Sequence, residues 1–277
     1  MLRRMSEFEE VERFETVRLL RHEGAAIVEM DRPEVRNAWN SAMASGLVAA
    51  LRACQGDDVR AVLVRGAGAG FSAGADLGSF GEEGLPMLPS GRVDLERVLH
   101  DRYHPIMRLV RGLDKPVLAA VDGAAAGIGM SFALACDLVT ASERASFNHA
   151  FTKIGLGPDG GASLFLLARV GWARTSEIML EGRRVGAEEA LRIGLINRVL
   201  PVDGFHEAAE AQLVELAGGP TAAFSAGKRA INAQVLTQFE QVLALEAREQ
   251  SRMSETDDFV AAAMAFLRKE EPRYAGR

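Results

Sequence analysis

Two short runs, residues 17–21 (VRLLR) and 25–30 (AAIVEM), are β-like, and Glu23-Gly24 between them is the signature of a hairpin. Asp31-Arg32-Pro33 ends the pair, and Asn40-Ser41 then offers N-cap side chains to a helix predicted to run to about Gln55. Gly56-Asp57-Asp58 closes that helix ahead of a strand predicted from Ala61 (AVLVRG). Residues 66–76 (GAGAGFSAGAD) are too rich in glycine for a regular element. A second Gly/Pro-rich stretch, residues 78–91, is expected to be mobile and near a ligand. Residues 95–113 read as an amphipathic helix, after which Lys115-Pro116 leads into a buried strand, VLAAV. DGAAAGIGMSFALACD follows as a buried turn and helix, then a β-like LVTA. The order strand, glycine turn, helix, strand thus occurs twice, a repetition of architecture without repeated sequence. Beyond Gly161 the pattern is mainly helical, apart from a short strand-like INRVL at Ile196. An α/β core with a helical layer or cap over it is the predicted class.

Composition narrows the function classes. The 277 residues carry 32 Lys+Arg against 38 Asp+Glu, a formal charge of −6, with no Lys/Arg run longer than a pair. That balance argues against nucleic acid as the main partner. With 48% hydrophobic and 25% charged residues the chain has apolar surface enough for a core, which excludes a mostly disordered protein. The basic start is followed by a Glu-dominated segment, so no export signal is read. The longest apolar stretch, between Asp122 and Asp137, is shorter than the ~18–20 residues of a membrane span, and no membrane association is expected. Cys54 and Cys136, without a second pair to suggest zinc, are expected to be reduced core thiols of a cytoplasmic protein.

The two glycine turns, FSAGAD at Phe71 and AAGIG at Ala125, each follow a strand. The first N–H groups of a helix lack internal partners, and glycine lets backbone approach a ligand closely. Together such turns can form an oxyanion hole, in which a polarised carbonyl gains most as it becomes an enolate. Spacing alone allows equally that these glycines only permit close packing. Gly127-Ile128-Gly129 lacks the third glycine of a dinucleotide loop, and nothing matches a phosphate loop.

The segments DRPEVRNAWN, FSAGADL, KPVLAAVDGAAAGIGMSFALACDLVTAS, FTKIGLGPDGG and GRRVGAEEALRIGLINRVL, in this order, resemble the crotonase, or enoyl-CoA hydratase/isomerase, superfamily over nearly the whole chain. The resemblance implies a spiral of repeated ββα units over residues 1–200, a C-terminal helical region over 201–277 that serves as trimerisation or cap region, and trimers or dimers of trimers. It also implies an acyl-CoA thioester substrate, with no cofactor beyond the CoA that substrate carries. Carried over by position, the oxyanion donors fall on the backbone N–H groups of Ala75 and Ile128. Isoleucine stands where the family usually has glycine, which keeps the donor and narrows the room around the thioester. By the same resemblance Arg36, Ala38, Ala73, Ala75, Asp76, Leu77 and Gly78 would line the CoA, Gly127, Ile128, Ser131, Phe151 and Pro158 complete the substrate- and CoA-binding set, and Lys269 matches a family lysine that contacts CoA.

Hydratases of this family use two glutamates, and those positions read Ser131 and Phe151. Asp159, eight positions after Phe151 in Gly157-Pro158-Asp159-Gly160-Gly161, is the remaining carboxylate. Certain double-bond isomerases of the superfamily carry a functional aspartate there, and ring-opening isomerases of phenylacetate catabolism share this context. One base suffices to move a proton between two carbons of a thioester dienolate. The resemblance therefore implies an isomerase with Asp159 as base; Asp159 as a mere cap of the helix beginning near Ala162 is the competing reading. A hydratase, a halobenzoyl-CoA dehalogenase-like hydrolase and a non-catalytic acyl-CoA-binding oligomer are the other readings. The dehalogenase branch has a histidine and an aspartate at what correspond to His104 and Asp159, but a tryptophan where this chain has Phe151. Asp76 and Asp137 read as structural, and His149 as a pocket-wall or core histidine.

Overall fold

The computed structural model describes residues 8–81, 85–268 and 270–277. Among them, β1 (Glu9–Phe14), β2 (Val17–His22) and β3 (Ala25–Met30) precede α1 (Ser41–Ala53) and β4 (Ala61–Gly66). Next come α2 (Leu95–Val98), a π turn (Leu99–Tyr103), α3 (His104–Gly112), β5 (Val117–Val121), β6 (Ala124–Ala126) and α4 (Ile128–Ala135). β7 (Leu138–Ser142), β8 (Ser146–Asn148), α5 (Ala162–Glu181), β9 (Arg184–Gly186), α6 (Ala187–Arg192) and β10 (Arg198–Leu200) complete the core. Four helices follow: α7 (Phe205–Gly218), α8 (Thr221–Val235), α9 (Phe239–Ser254) and α10 (Asp257–Arg268).

A seven-stranded sheet has the order β1-β2-β3-β4-β5-β7-β10, antiparallel through β3 and parallel beyond it. Its register aligns Leu20, Ile27, Leu63, Leu118 and Leu138 in one cross-strand row. α7 covers that row with Phe205, Ala209 and Leu213. Leu19, Val28, Val64, Ala119 and Val139 make the row on the opposite face, under Met43, Leu47 and Leu51 of α1. The central strands are hydrophobic almost throughout because both faces are covered. So α7, in the C-terminal helical region, is part of the sheet's packing, while α9 and α10 lie against the segments around the site.

The hairpin turns at Glu23 and Gly24, both with positive φ, and the Asn40 side chain accepts from the Met43 N–H at the start of α1. Three features depart from the sequence pattern. The Glu-rich segment forms β1, an exposed edge strand whose Glu10 pairs with Arg13 and Arg18, so its charges keep a sheet edge in water. Residues 95–112 are interrupted by the π turn, which closes with the His104 N–H donating to Leu99 O and rotates the face that follows. A second, three-stranded sheet, β6-β8-β9, has strands too short to show a period. In the segment 78–91, residues 82–84 lie outside the described ones; the rest holds a 3₁₀ turn at Leu77–Gly81 and a bridge between Met87 and Val93.

Cys54 and Cys136 are buried free thiols, each pushed up to about 12 by burial. Among the described residues no helix is long and apolar enough to cross a membrane, and no three His, Cys, Asp or Glu side chains group as a metal site.

Candidate active site

The two glycine turns are zipped to each other. Ser72 bridges to Ala125, with Ser72 N–H donating to Ala124 O and Ala126 N–H donating to Ser72 O, both at 2.9 Å. At Gly74 (φ +95°) a Cβ would stand 2.9 Å from Ala126 O, so only glycine allows this approach. On its other side the first turn bridges Trp39, whose N–H donates to Gly74 O and whose carbonyl accepts from Asp76 N–H. Both bonds of that bridge bypass Ala75, so the Ala75 N–H faces away from Trp39, on the side where Ala75 lines a cavity. Ile128 is the first residue of α4; its N–H has no acceptor within the helix, and Gly127 offers no side-chain cap. Two backbone donors thus border one cavity, the second at the positive end of a helix.

That cavity, about 130 Å³, is lined largely by apolar groups, among them Leu95, Val98, Leu99, Phe151, Ile154 and Leu156. Asp159 is the one acidic side chain lining it among the described residues. It is 3% exposed, and its Oδ1 has no hydrogen-bond partner. His104, equally buried, brings Nε2 to 3.8 Å from Asp159 Oδ1, and this Nε2 is also unpartnered. The turn of π helix before His104 sets the register that turns it toward the aspartate, a placement typical of functional sites.

Asp159 does not cap α5, which corrects the capping reading. The cap is Glu246 of α9: its carboxylate accepts from the Gly161 N–H at 2.7 Å, the Ser163 N–H at 3.0 Å and the Ser163 hydroxyl at 2.5 Å. Two further bonds fix the loop. The Ser131 hydroxyl donates to Asp159 O at 2.7 Å, and the Gln250 amide donates to Gly157 O at 2.6 Å. At Gly160 (φ +67°) a Cβ would stand 2.5 Å from Ile128 Cδ1 and 3.2 Å from Ser131 Cβ, so the Asp159 loop packs directly on α4. The isoleucine side chain therefore packs against the loop that carries Asp159. Glu246 and Gln250 went unread in the sequence. Their signal is phase, since they share a buried helical stripe with Leu243, Ala247 and Ser254.

The other residues named from sequence scatter around this centre. Ala73, Leu77, Gly127 and Phe151 line the cavity with Ala75 and Ile128; Arg36, Ala38, Asp76, Gly78, Ser131 and Pro158 do not. Ser131 serves the loop instead, and Asp76 is held by Arg32 at 3.0 Å, which ties the glycine turn that carries Ala75 to the segment after β3. Arg36 and Gly78 are exposed, and Lys269 lies outside the described residues. Asp137 pairs with Arg111 and Lys228, a structural role. His149 packs edge-on against Phe151, and burial pushes it down to about 4, so it stays neutral.

Burial pushes the Glu246 carboxyl up to about 7, against the pull of its three donors, with the Asp159 charge adding to the rise. Between its ordinary 4.5 and about 7 the folded chain then binds the extra proton, so stability falls as pH rises through that window and is level above it. Glu246→Gln is expected to remove this pH dependence, a stability change on the order of 3 kcal/mol summed across the window, as read from unfolding free energies measured at a series of pH values. An unchanged slope would place the proton elsewhere.

Two glycine turns, the backbone N–H groups of Ala75 and Ile128 and one buried carboxylate thus border a single, largely apolar cleft. The family model for enoyl-CoA hydratase/isomerase matches residues 21–277, and the chain belongs to this family. It is 42% identical, over 95% of this chain and 99% of the other, to a Rhodobacter capsulatus protein named "Probable enoyl-CoA hydratase". To the 1,2-epoxyphenylacetyl-CoA isomerase of Escherichia coli it is 34% identical, over 92% and 96% of the two chains. The crystal structure of an enoyl-CoA hydratase from Mycobacterium avium subsp. paratuberculosis superposes with a TM-score of 0.85 at 35% identity, covering 95% of this chain and all of that one. The fold is thus the crotonase fold, and the protein is an acyl-CoA-processing enzyme of that superfamily.

Proposed function

We propose that the enzyme isomerises acyl-CoA thioesters, moving a double bond or rearranging an activated ring, with Asp159 as its single base. The observation that carries this is the Asp159 carboxylate, the one acidic group among the described residues lining a largely apolar cavity and without a hydrogen-bond partner at Oδ1, beside the Ala75 and Ile128 amides. In the reaction the thioester oxygen accepts from both amides. Asp159 takes a proton from the carbon next to the double bond, the electron pair passes through the dienolate to the thioester oxygen, and the protonated Asp159 returns a proton at the far carbon. Hydration needs a water held and split across the double bond; Ser131 is bonded to Asp159 O and Phe151 is a hydrocarbon, so neither supplies a second carboxylate. CoA belongs to the substrate, and the reading calls for no other cofactor. Arg36, Ala38, Asp76, Gly78, Pro158 and Lys269 are assigned to the CoA and the approach to the thioester. The same reading sets the enzyme in the cytoplasm as a trimer or a dimer of trimers.

A second reading, hydrolytic dehalogenation of a halobenzoyl-CoA, in which Asp159 displaces halide from the ring and water then cleaves the aspartyl aryl ester, is favoured by one observation, the 3.8 Å approach of His104 to Asp159. Incubation with 3-enoyl-CoA, ring-epoxide and halobenzoyl thioesters, in D₂O followed by NMR and in ¹⁸O-labelled water followed by mass spectrometry, separates the possibilities. Double-bond or ring isomerisation with deuterium uptake is expected. Incorporation of solvent oxygen would indicate hydration, whereas halide release with an ester at Asp159 would indicate the hydrolase. Binding without any solvent exchange would leave only an acyl-CoA-binding oligomer.

A further inference from the structure

His104 stands between two cavities of opposite character. On one side its Nε2 faces the Oδ1 of Asp159, which lines the apolar acyl cavity. On the other, the same residue lines a cleft of about 460 Å³ that is charged where the first is hydrocarbon, with Arg97, His100, Arg108 and Glu240 around it. Arg108 and Glu240 meet there at 2.8 Å with solvent-exposed side chains, so this cleft is wet. The pair His104–Asp159, buried and without hydrogen-bond partners on the facing atoms, is the partition between the two spaces.

Resting on the isomerase reading, we propose that His104 relays protons between Asp159 and the second cleft, so that the proton taken from substrate exchanges with solvent by that route rather than past the bound thioester. Once Asp159 is protonated, a closure of about 1 Å brings its O–H within hydrogen-bond range of Nε2. The proton passes to Nε2 and leaves the aspartate ionised; the imidazolium releases its other ring proton to cleft water. Reversal of these two transfers returns a solvent proton to Asp159, so charge and protons balance with water as the only co-reactant. His104 acts through Asp159 and never on the substrate.

Ala244 lines the cleft from an exposed position on α9, so Ala244→Trp plugs it without entering the core or the acyl cavity. During turnover in D₂O, deuterium in the product is expected to drop roughly tenfold relative to wild type while the isomerisation rate holds within about twofold. Proton transfer then becomes internal, from one carbon to the other. In His104→Gln the same loss of product deuterium is expected, read per turnover and whatever the rate of that variant. Unchanged deuterium incorporation in both variants would overturn the relay. A second readout is independent of substrate: exchange of the His104 ring N–H with water, measured by NMR in the resting enzyme, is expected to slow in Ala244→Trp. Equal exchange in wild type and variant overturns the proposal. A wild type that turns over no thioester sinks the isomerase reading, and ring-proton exchange alone then decides the relay.

Discussion

Asp159→Asn is expected to lower kcat/KM for isomerisation by roughly 10²–10⁴-fold and to abolish solvent deuterium uptake, while the protein folds as well as wild type or better. The expectation of undiminished stability follows from the position of the carboxylate. Asp159 Oδ1 is buried with no donor to it, and burying an ionised group without partners costs free energy that the neutral amide avoids. The loop does not depend on this side chain, because Ser131 and Gln250 hold its backbone carbonyls and Glu246 holds the N–H of Gly161. Thermal melts alongside steady-state kinetics check both halves. A variant that kept its rate would move the base elsewhere; one that lost activity by unfolding would contradict the structural independence of the carboxylate. The same substitution removes a charge that raises Glu246, so the Glu246 midpoint should fall toward the ordinary carboxylate range.

Ile128→Pro is expected to cost about 10²–10³-fold in kcat, the usual consequence of losing one oxyanion donor, while leaving α4 formed. Proline suits the first position of a helix, where the missing N–H had no internal acceptor. The residue before it, Gly127, has ψ −127° and no Cβ, so the proline ring meets no clash there. Part of the change comes from trimming the side chain that packs on Gly160, and Ile128→Val, which keeps the donor, measures that part separately. Near-equal kcat in the two variants would mean that this amide does not hold the thioester oxygen. A large loss confined to the proline variant assigns the effect to the N–H.

The fold was legible wherever information is local. Glu23-Gly24 suits positive φ, the Asn40 side chain caps the next helix turn, and the strands of the central sheet are continuous apolar runs. β1 was not legible, since nothing in a Glu-rich segment says that Arg18 will neutralise it from the neighbouring strand. Strands β6, β8 and β9 span three residues each, too few for a period, and exist because the glycine turn and β8 align them. The π turn arises within a helix whose apolar spacing alone reads as continuous.

At the site the division is similar. The amino-acid sequence by itself determined that two glycine turns follow two strands, that positions 131 and 151 are a serine and a phenylalanine with no carboxylate to offer, and that one aspartate stands eight positions beyond the second. Those are statements about residue type and order, which local conformation transmits directly. Only the tertiary structure decided which carboxylate caps α5 and which remains unpaired in the cavity. That choice is made by α9, whose Glu246 reaches Ser163 from 83 positions away and takes the helix donors, leaving Asp159 opposite His104. A side chain's partners are set by whichever elements packing brings against it, and no spacing along the chain encodes that competition.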